Sequence, residues 1–428
     1  MRISIDNARV IDPFSEMDEI KNLQIANGLV TDGLCSPGEF KADRVIDATG
    51  LVVCPGLVDI SVRLGESAKS SPSSLEKELM AVVAGGVTTV GCPPDIHPVL
   101  DEPGLVSMLR DRARAVNLAK IYPIGALTRS LLGEHLTDMV ALSESGCFAF
   151  SQGDGNFPSP LVLRRAMEYA STFGLNVWLR PQENSLSEGG VAHEGEVATR
   201  LGLPGIPSIA EAIAVSTVIL IAQETKARVH LCRLSSEIAI NLVRNAKDEG
   251  VNVTSDISLN NLHLSEVDIG FFDTNHRFVP PLRGTRDRKA LRSGLLDNSV
   301  DIICSDHTPV SGDDKNIPFG EAAPGACGVE MLLPLVLRWA KQEGIPLKHA
   351  LKKVTCNPSD LLVGTPKRIT GGEVADLCIF DPEMPCLVDE NSLVSKTKNT
   401  PFINTELIGV NMFTIVGGEI LFERLQTN

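Results

Sequence analysis

Read for its apolar positions alone, the chain has two ends in which apolar and polar residues alternate and a long middle in which short apolar runs recur. The runs are Leu57–Val62, Thr88–Cys92, Lys120–Gly125, Cys147–Phe150, Asn176–Leu179, Val229–Leu231, Val251–Ser255 and Val300–Cys304. Short, continuous and rich in Val and Ile, they read as strands buried on both faces. Helical patterns separate them, for example Glu76–Ala84, Gly104–Val116, Pro160–Ser171, Ser208–Glu224 and Glu237–Lys247. Eight strands alternating with helices predict an α/β fold, a (β/α)8 TIM barrel over residues 56–365; a doubly wound sheet would give a similar string. The ends differ. Ile3 and Ile5, Val10-Ile11, and Leu23 and Ile25 alternate with polar residues, and turn signals fall at Asn27-Gly28, Asp32-Gly33 and Pro37-Gly38. With Leu377-Cys378-Ile379-Phe380 and Phe413-Thr414-Ile415-Val416 near the other terminus, residues 1–55 and 366–428 are expected to form one small β-sandwich-like domain of short antiparallel strands.

Composition narrows the function classes. A net charge of −15 argues against nucleic acid or anionic membrane as the main partner. The ten cysteines stand singly, most of them inside apolar runs, with no CxxC pair. That is how a reducing compartment uses cysteine, as a small core residue. No signal segment opens the chain, and no apolar run approaches the roughly 18 residues of a membrane span, so a cytoplasmic location is expected.

In a barrel the reacting groups stand at the C-terminal ends of the strands. Here those positions hold Ser61 and Arg63, Asp95, Asp154, Arg180, Arg233, Asn260 and Asn261, and Asp306 with His307. Ser61 and Arg63 are two apart on a strand and so face the same way, the spacing at which His-x-His grips zinc in metal-dependent hydrolases. Serine is a poor zinc ligand, and a guanidinium has no lone pair to give.

Several motifs in order carry a resemblance. They are Pro55-Gly56-Leu57-Val58-Asp59, Gly85-Gly86-Val87-Thr88-Thr89-Val90, Gly189-Gly190 with His193-Glu194-Gly195, and Gly202-Leu203-Pro204-Gly205-Ile206-Pro207. Pro280-Pro281-Leu282-Arg283, Ser305-Asp306-His307-Thr308-Pro309 and Ala323-Pro324-Gly325-Ala326 follow. Over nearly its whole length the chain resembles the class I dihydroorotases of the amidohydrolase superfamily. The resemblance implies one or two zincs that polarise a ring amide and activate a water, with the aspartate at Asp306 moving the proton. Carried over by position, the metal ligands fall on Ser61, Arg63, Arg180, Arg233 and Asp306, with Asp154 nearest the bridging carboxylate. Substrate positions fall on Gly65, Asp95, Asn260, Asn261, Val279 and Val310. Only Asp306 keeps the family residue.

A frame kept while its ligands are replaced resembles one branch in particular, the inactive dihydroorotase-like subunits that assemble with aspartate carbamoyltransferase. That branch implies a scaffolding partner in pyrimidine biosynthesis, self-association, no catalytic residue and no metal or other cofactor. The alternative is an active dihydroorotase or other cyclic-amide hydrolase with an altered metal site, which would need zinc. Arg63, Arg180 and Arg233 are expected to converge. Either they pair internally with Asp95 and Asp306 as a plug, or they bind an anion. His193 and His230 read as structural hydrogen-bonding groups.

Overall fold

The computed structural model describes residues 1–31, 40–64 and 73–424. The expected turns at Asp32-Gly33 and Pro37-Gly38, and the positions Cys35 and Gly65, lie outside the described residues.

Each of the eight apolar runs of the middle overlaps a strand, and the strands pair in parallel in sequence order. Leu57–Asp59, Val87–Cys92 and Lys120–Pro123 form one set; Gly125–Ala126, Ala149–Ser151, Asn176–Leu179, Arg228–Leu231, Val253–Ser258 and Ile302–Cys304 form the other. The third barrel strand is therefore broken at Ile124, whose N–H instead reaches Cys92 O at 2.9 Å. The ring closes through a parallel bridge between Val62 and His307, with Arg63 N–H donating to His307 O at 2.9 Å. Inward residues fill the barrel: Val58, Ile60, Ile124, Ala149, Trp178 and Ile302 form one buried cluster. The outer helices cover the opposite faces, which is why these strands read as unbroken apolar runs.

The two termini build one eight-stranded sheet. Its order is Glu419–Glu423, Glu406–Val416, Leu377–Leu387, Val52–Pro55, Ile3–Asp12, Met17–Ala26 and Leu29–Val30, with Arg44–Asp47 beside Ile3–Asp12. Two features differ from the expected short antiparallel strands of a sandwich. Several strands run ten or eleven residues, and Ile3–Asp12 pairs in parallel with both Arg44–Asp47 and Val52–Pro55. A bulge between Ile5 and Ala8 allows this, letting the strand's first half keep one neighbour and its second half another. Ile3, Ile5, Val10, Ile25, Val53, Leu377 and Ile415 make its core.

One helix, Ser208–Thr225, is long and apolar enough by length and mean hydropathy (1.3) to cross a membrane, whereas no run of that length was expected. Half of it is buried, and it packs against the neighbouring helices Pro160–Phe173 and Glu237–Asp248. Its buried Glu211 accepts hydrogen bonds from Ser235 N at 3.0 Å and Ser236 N at 2.9 Å. It belongs to the outer ring of the barrel.

Candidate functional site

At the C-terminal mouth of the barrel the three arginines and three aspartates singled out above meet. Arg63, at the end of the first strand, donates from Nη1 to Asp306 Oδ1 at 3.0 Å and from Nη2 to Asp95 Oδ2 at 2.9 Å and Asp154 Oδ2 at 2.8 Å. Arg180, after the fifth strand, donates from Nε to Asp154 Oδ1 at 2.6 Å. Arg233, after the sixth, reaches Asp154 Oδ1 at 2.5 Å from Nη2, and Asp306 Oδ1 at 2.9 Å and Val279 O at 3.0 Å from Nη1. Asp154 N–H closes the ring by donating to Asp95 Oδ2 at 2.9 Å. Ser61 Oγ stands at 3.4 Å from Asp306 Oδ1.

Local backbone geometry aims two of these groups. Arg233 and Asp306 both sit just past their strands with φ of 53° and 50°, left-handed conformations that non-glycine residues adopt at a cost. Each turns its side chain over the barrel axis. The backbone N–H of Arg233 is fixed by Asp256 Oδ1 at 2.9 Å.

The charges balance, three guanidiniums against three carboxylates, and the site is mostly shut from water: the side chains of Arg63, Arg180, Arg233 and Asp306 are 10%, 8%, 5% and 6% exposed. Asp154 is the outermost at 32%. Burial pushes the Asp154 carboxyl up, but Arg233, Arg63 and Arg180 outweigh it and hold the group well below the usual carboxylate range. For Asp306 burial wins over Arg233 and Arg63, so its carboxyl lies above the ordinary value. Burial lowers Arg180 by more than Asp154 restores. Asp95 Oδ1 is buried and accepts no hydrogen bond among the described residues, so it is a spare acceptor at the mouth.

Apart from Val279, whose carbonyl accepts from Arg233, the remaining predicted positions that are described lie away from this ring. Asn261 donates to Pro281 O at 3.0 Å and packs with Asn260 inside the short helix Leu259–His263. Val310 is buried, with its N–H on Asn399 Oδ1, and Val279 contributes only its carbonyl. His307 turns away from the mouth to Glu78 Oε2 at 3.1 Å, and His193 lies 3.2 Å from Arg283 Nη1. Sequence reasoning missed Thr308, which accepts from Arg63 Nη1 at 3.0 Å, and Gln182, which accepts from Arg180 Nη1 at 2.6 Å. Both stand two residues beyond a predicted member, Asp306 and Arg180, but past the strand ends, where the period-two rule no longer says which way a side chain faces.

The fold and the position of this ring define a class: a barrel of the amidohydrolase type with a composite terminal β-domain. Solved structures of that shape are similar over nearly the whole chain. The L-hydantoinase (dihydropyrimidinase) from Arthrobacter aurescens matches with a TM-score of 0.86 at 21% identity, covering 98% of this chain and 96% of that one. D-hydantoinase from Thermus sp. gives 0.85 at 18%, covering 98% and 95%. A family model described as "Dihydro-orotase-like" matches residues 50–238. The "Dihydroorotase-like protein" of Pseudomonas aeruginosa is 41% identical over 423 residues, 99% of this chain and 100% of that protein. The protein of the same description from Pseudomonas putida is 38% identical, covering 98% and 99%. The "Dihydroorotase" of Pelobacter propionicus is 36% identical, covering 99% and 100%. The chain belongs to the dihydroorotase-like family.

Zinc, which the family resemblance implies, does not fit this mouth. Three of the positions carry guanidiniums without lone pairs, and the carboxylates that could bind a cation are already paired with them. A divalent ion placed here would face three fixed positive charges.

Proposed function

We propose that this chain is a non-catalytic member of the dihydroorotase-like family that scaffolds aspartate carbamoyltransferase in pyrimidine biosynthesis. The observation that carries the reading is the closed ring of Arg63, Arg180 and Arg233 with Asp95, Asp154 and Asp306, which stands where a hydrolase of this shape needs ligands and a substrate. The ring's charges are paired internally, so it acts as a plug that keeps the barrel's charge balanced without a cation. A chain that keeps its fold while giving up its site is retained for its surface. Exposed apolar groups support this, since a covering partner would gain from burying them. Phe271 is 89% exposed, and Ile209, Ile213 and Leu220 lie along the outer side of one helix.

Mixing the chain with the aspartate carbamoyltransferase of the same organism tests the reading. A large complex whose transcarbamoylase activity depends on this chain is expected. The same protein assayed with dihydroorotate and added zinc should show no turnover. Turnover would establish the alternative, an active dihydroorotase, which the name given to the Pelobacter relative favours.

A further inference from the structure

Beneath the arginine ring lies a second polar group that the plug does not use. His230 and Cys232 are two apart at the end of the sixth strand and so face the same way, and Asp256 stands on the adjoining seventh strand. Their ligand atoms all lie within 4.8 Å of one another. His230 Nε2 is 2.8 Å from Asp256 Oδ2, and its Nδ1 is 2.8 Å from Thr254 Oγ1. The other carboxylate oxygen is already occupied, accepting from Arg233 N–H at 2.9 Å and Cys304 Sγ at 3.2 Å. Trp178 packs its ring 4.9 Å from His230, and its indole N–H has no partner among the described residues.

We propose that His230, Cys232 and Asp256 form a binding site for a divalent transition-metal ion of the zinc type, set one layer deeper in the barrel than the arginine ring. The donor set is nitrogen, sulfur and oxygen, which suits zinc and disfavours calcium or magnesium. Its charge suits the ion as well. A neutral imidazole, a thiolate and a carboxylate sum to −2 and neutralise a divalent cation, whereas the ring above is already neutral without one. Outer partners hold the ligands in place, as metal sites require: Thr254 behind His230, and Arg233 N–H with Cys304 behind Asp256.

The protons balance. In the metal-free protein burial keeps the Cys232 thiol protonated, with Asp256 reinforcing it. On binding, that proton leaves to solvent while the S–metal bond forms. The 2.8 Å contact with the Asp256 carboxylate needs a proton on Nε2, so binding shifts that proton to Nδ1, where Thr254 Oγ1 accepts it, and frees the Nε2 lone pair for the metal. Zinc bond lengths of about 2.0–2.3 Å put tetrahedral ligand atoms about 3.3–3.8 Å apart. The His230–Asp256 contact therefore opens by about half an ångström as Cys232 closes in.

Cobalt(II) added to the metal-free full-length protein tests the site by its spectrum. One ion per chain is expected, with thiolate-to-cobalt charge-transfer absorption, tetrahedral ligand-field bands and close to one proton released. Cys232→Ser should abolish the charge-transfer band and weaken binding at least tenfold, and Asp256→Asn should weaken it similarly. Cys386→Ser, far from the cluster, should leave the spectrum unchanged. Absence of the band in the wild-type protein, or its survival in Cys232→Ser, overturns the proposal. Should Cys232→Ser fail to fold by circular dichroism, Cys232→Ala takes its place, and the wild-type spectrum and proton count still decide.

Discussion

At the scale of single residues the mouth behaves as a set of mutually dependent charges. Arg233 serves both Asp154 and Asp306, so Arg233→Met leaves three carboxylates to two guanidiniums, with Asp154 kept by Arg63 and Arg180 and Asp306 by Arg63 alone. Breaking a buried pair in this way costs about 3–5 kcal/mol, and urea denaturation should show a loss of that size. The loss should be nearly the same in low and high salt, because buried pairs are poorly screened. Arg233→Met with Asp154→Asn should recover part of it, since the charges then balance again at two and two. Asp59, just below, tests the same physics with pH. Burial pushes its carboxyl up to about 6, against the N–H groups of Ser305 and Ser61 that pull it down, and Oδ2 has no partner among the described residues. The folded state therefore holds this proton more tightly than the unfolded one. The stability it supplies is full below about pH 4 and is lost as pH rises through 6. Relative to Asp59→Asn, wild-type protein should lose on the order of 2–3 kcal/mol between pH 4 and 7 in urea titrations. The convergence of the arginines was legible in the sequence because strand ends of a barrel share one rim and the family motifs fixed the register. The His230–Asp256 pair was not, because the apolar run that marked the seventh strand was read only to Ser255, one residue short of the carboxylate.

At the scale of elements, the eight barrel strands were legible for a physical reason: a strand covered on both faces has no polar alternation to confuse with a helix. The terminal sheet was harder to read, since the bulge at Ile5–Ala8 changes neighbours without changing the alternation that sequence shows. The helix Ser208–Thr225 illustrates a further limit. Its apolar character comes from both faces, Val215 and Val218 inward and Ile213 and Leu220 outward, so no periodicity distinguishes core from surface. Its one buried charge does structural work instead. Glu211 receives both backbone N–H groups and both hydroxyls of Ser235 and Ser236, and Ser236 in turn caps the helix Glu237–Asp248. Glu211→Ala leaves several buried donors without an acceptor. A loss of about 3 kcal/mol or more is expected in chemical denaturation, at the upper end for one side chain. Glu211→Gln, which keeps one carbonyl acceptor, should lose less.

At the scale of the molecule, barrel and terminal sheet are joined by a cross-link whose carboxylate is buried. Asp376 at the start of a terminal strand accepts from Lys120 at 2.6 Å on the third barrel strand, and Lys367 lies at 3.4 Å. Such buried groups make alkaline stability a contest between lysines and cysteines. Burial lowers Lys315, Lys353 and Lys367 to about 8, so the unfolded chain keeps three protons that the folded one gives up, and stability rises with pH on their account. The thiols act in the opposite direction. Burial raises Cys92 and Cys147 to about 12 and Cys327 and Cys356 to about 11, and Cys54, Cys232 and Cys304 also lie well above the ordinary value. Near pH 10 these seven stay protonated in the fold and ionise in the unfolded chain. The folded state then holds more protons than the unfolded one, and each proton of that difference corresponds to about 1.4 kcal/mol lost per pH unit. Urea midpoints of the metal-free protein under reductant should therefore be nearly level between pH 7 and 8 and fall steeply between pH 9 and 10. A rise over that interval would mean that the lysines, not the cysteines, govern the alkaline limb.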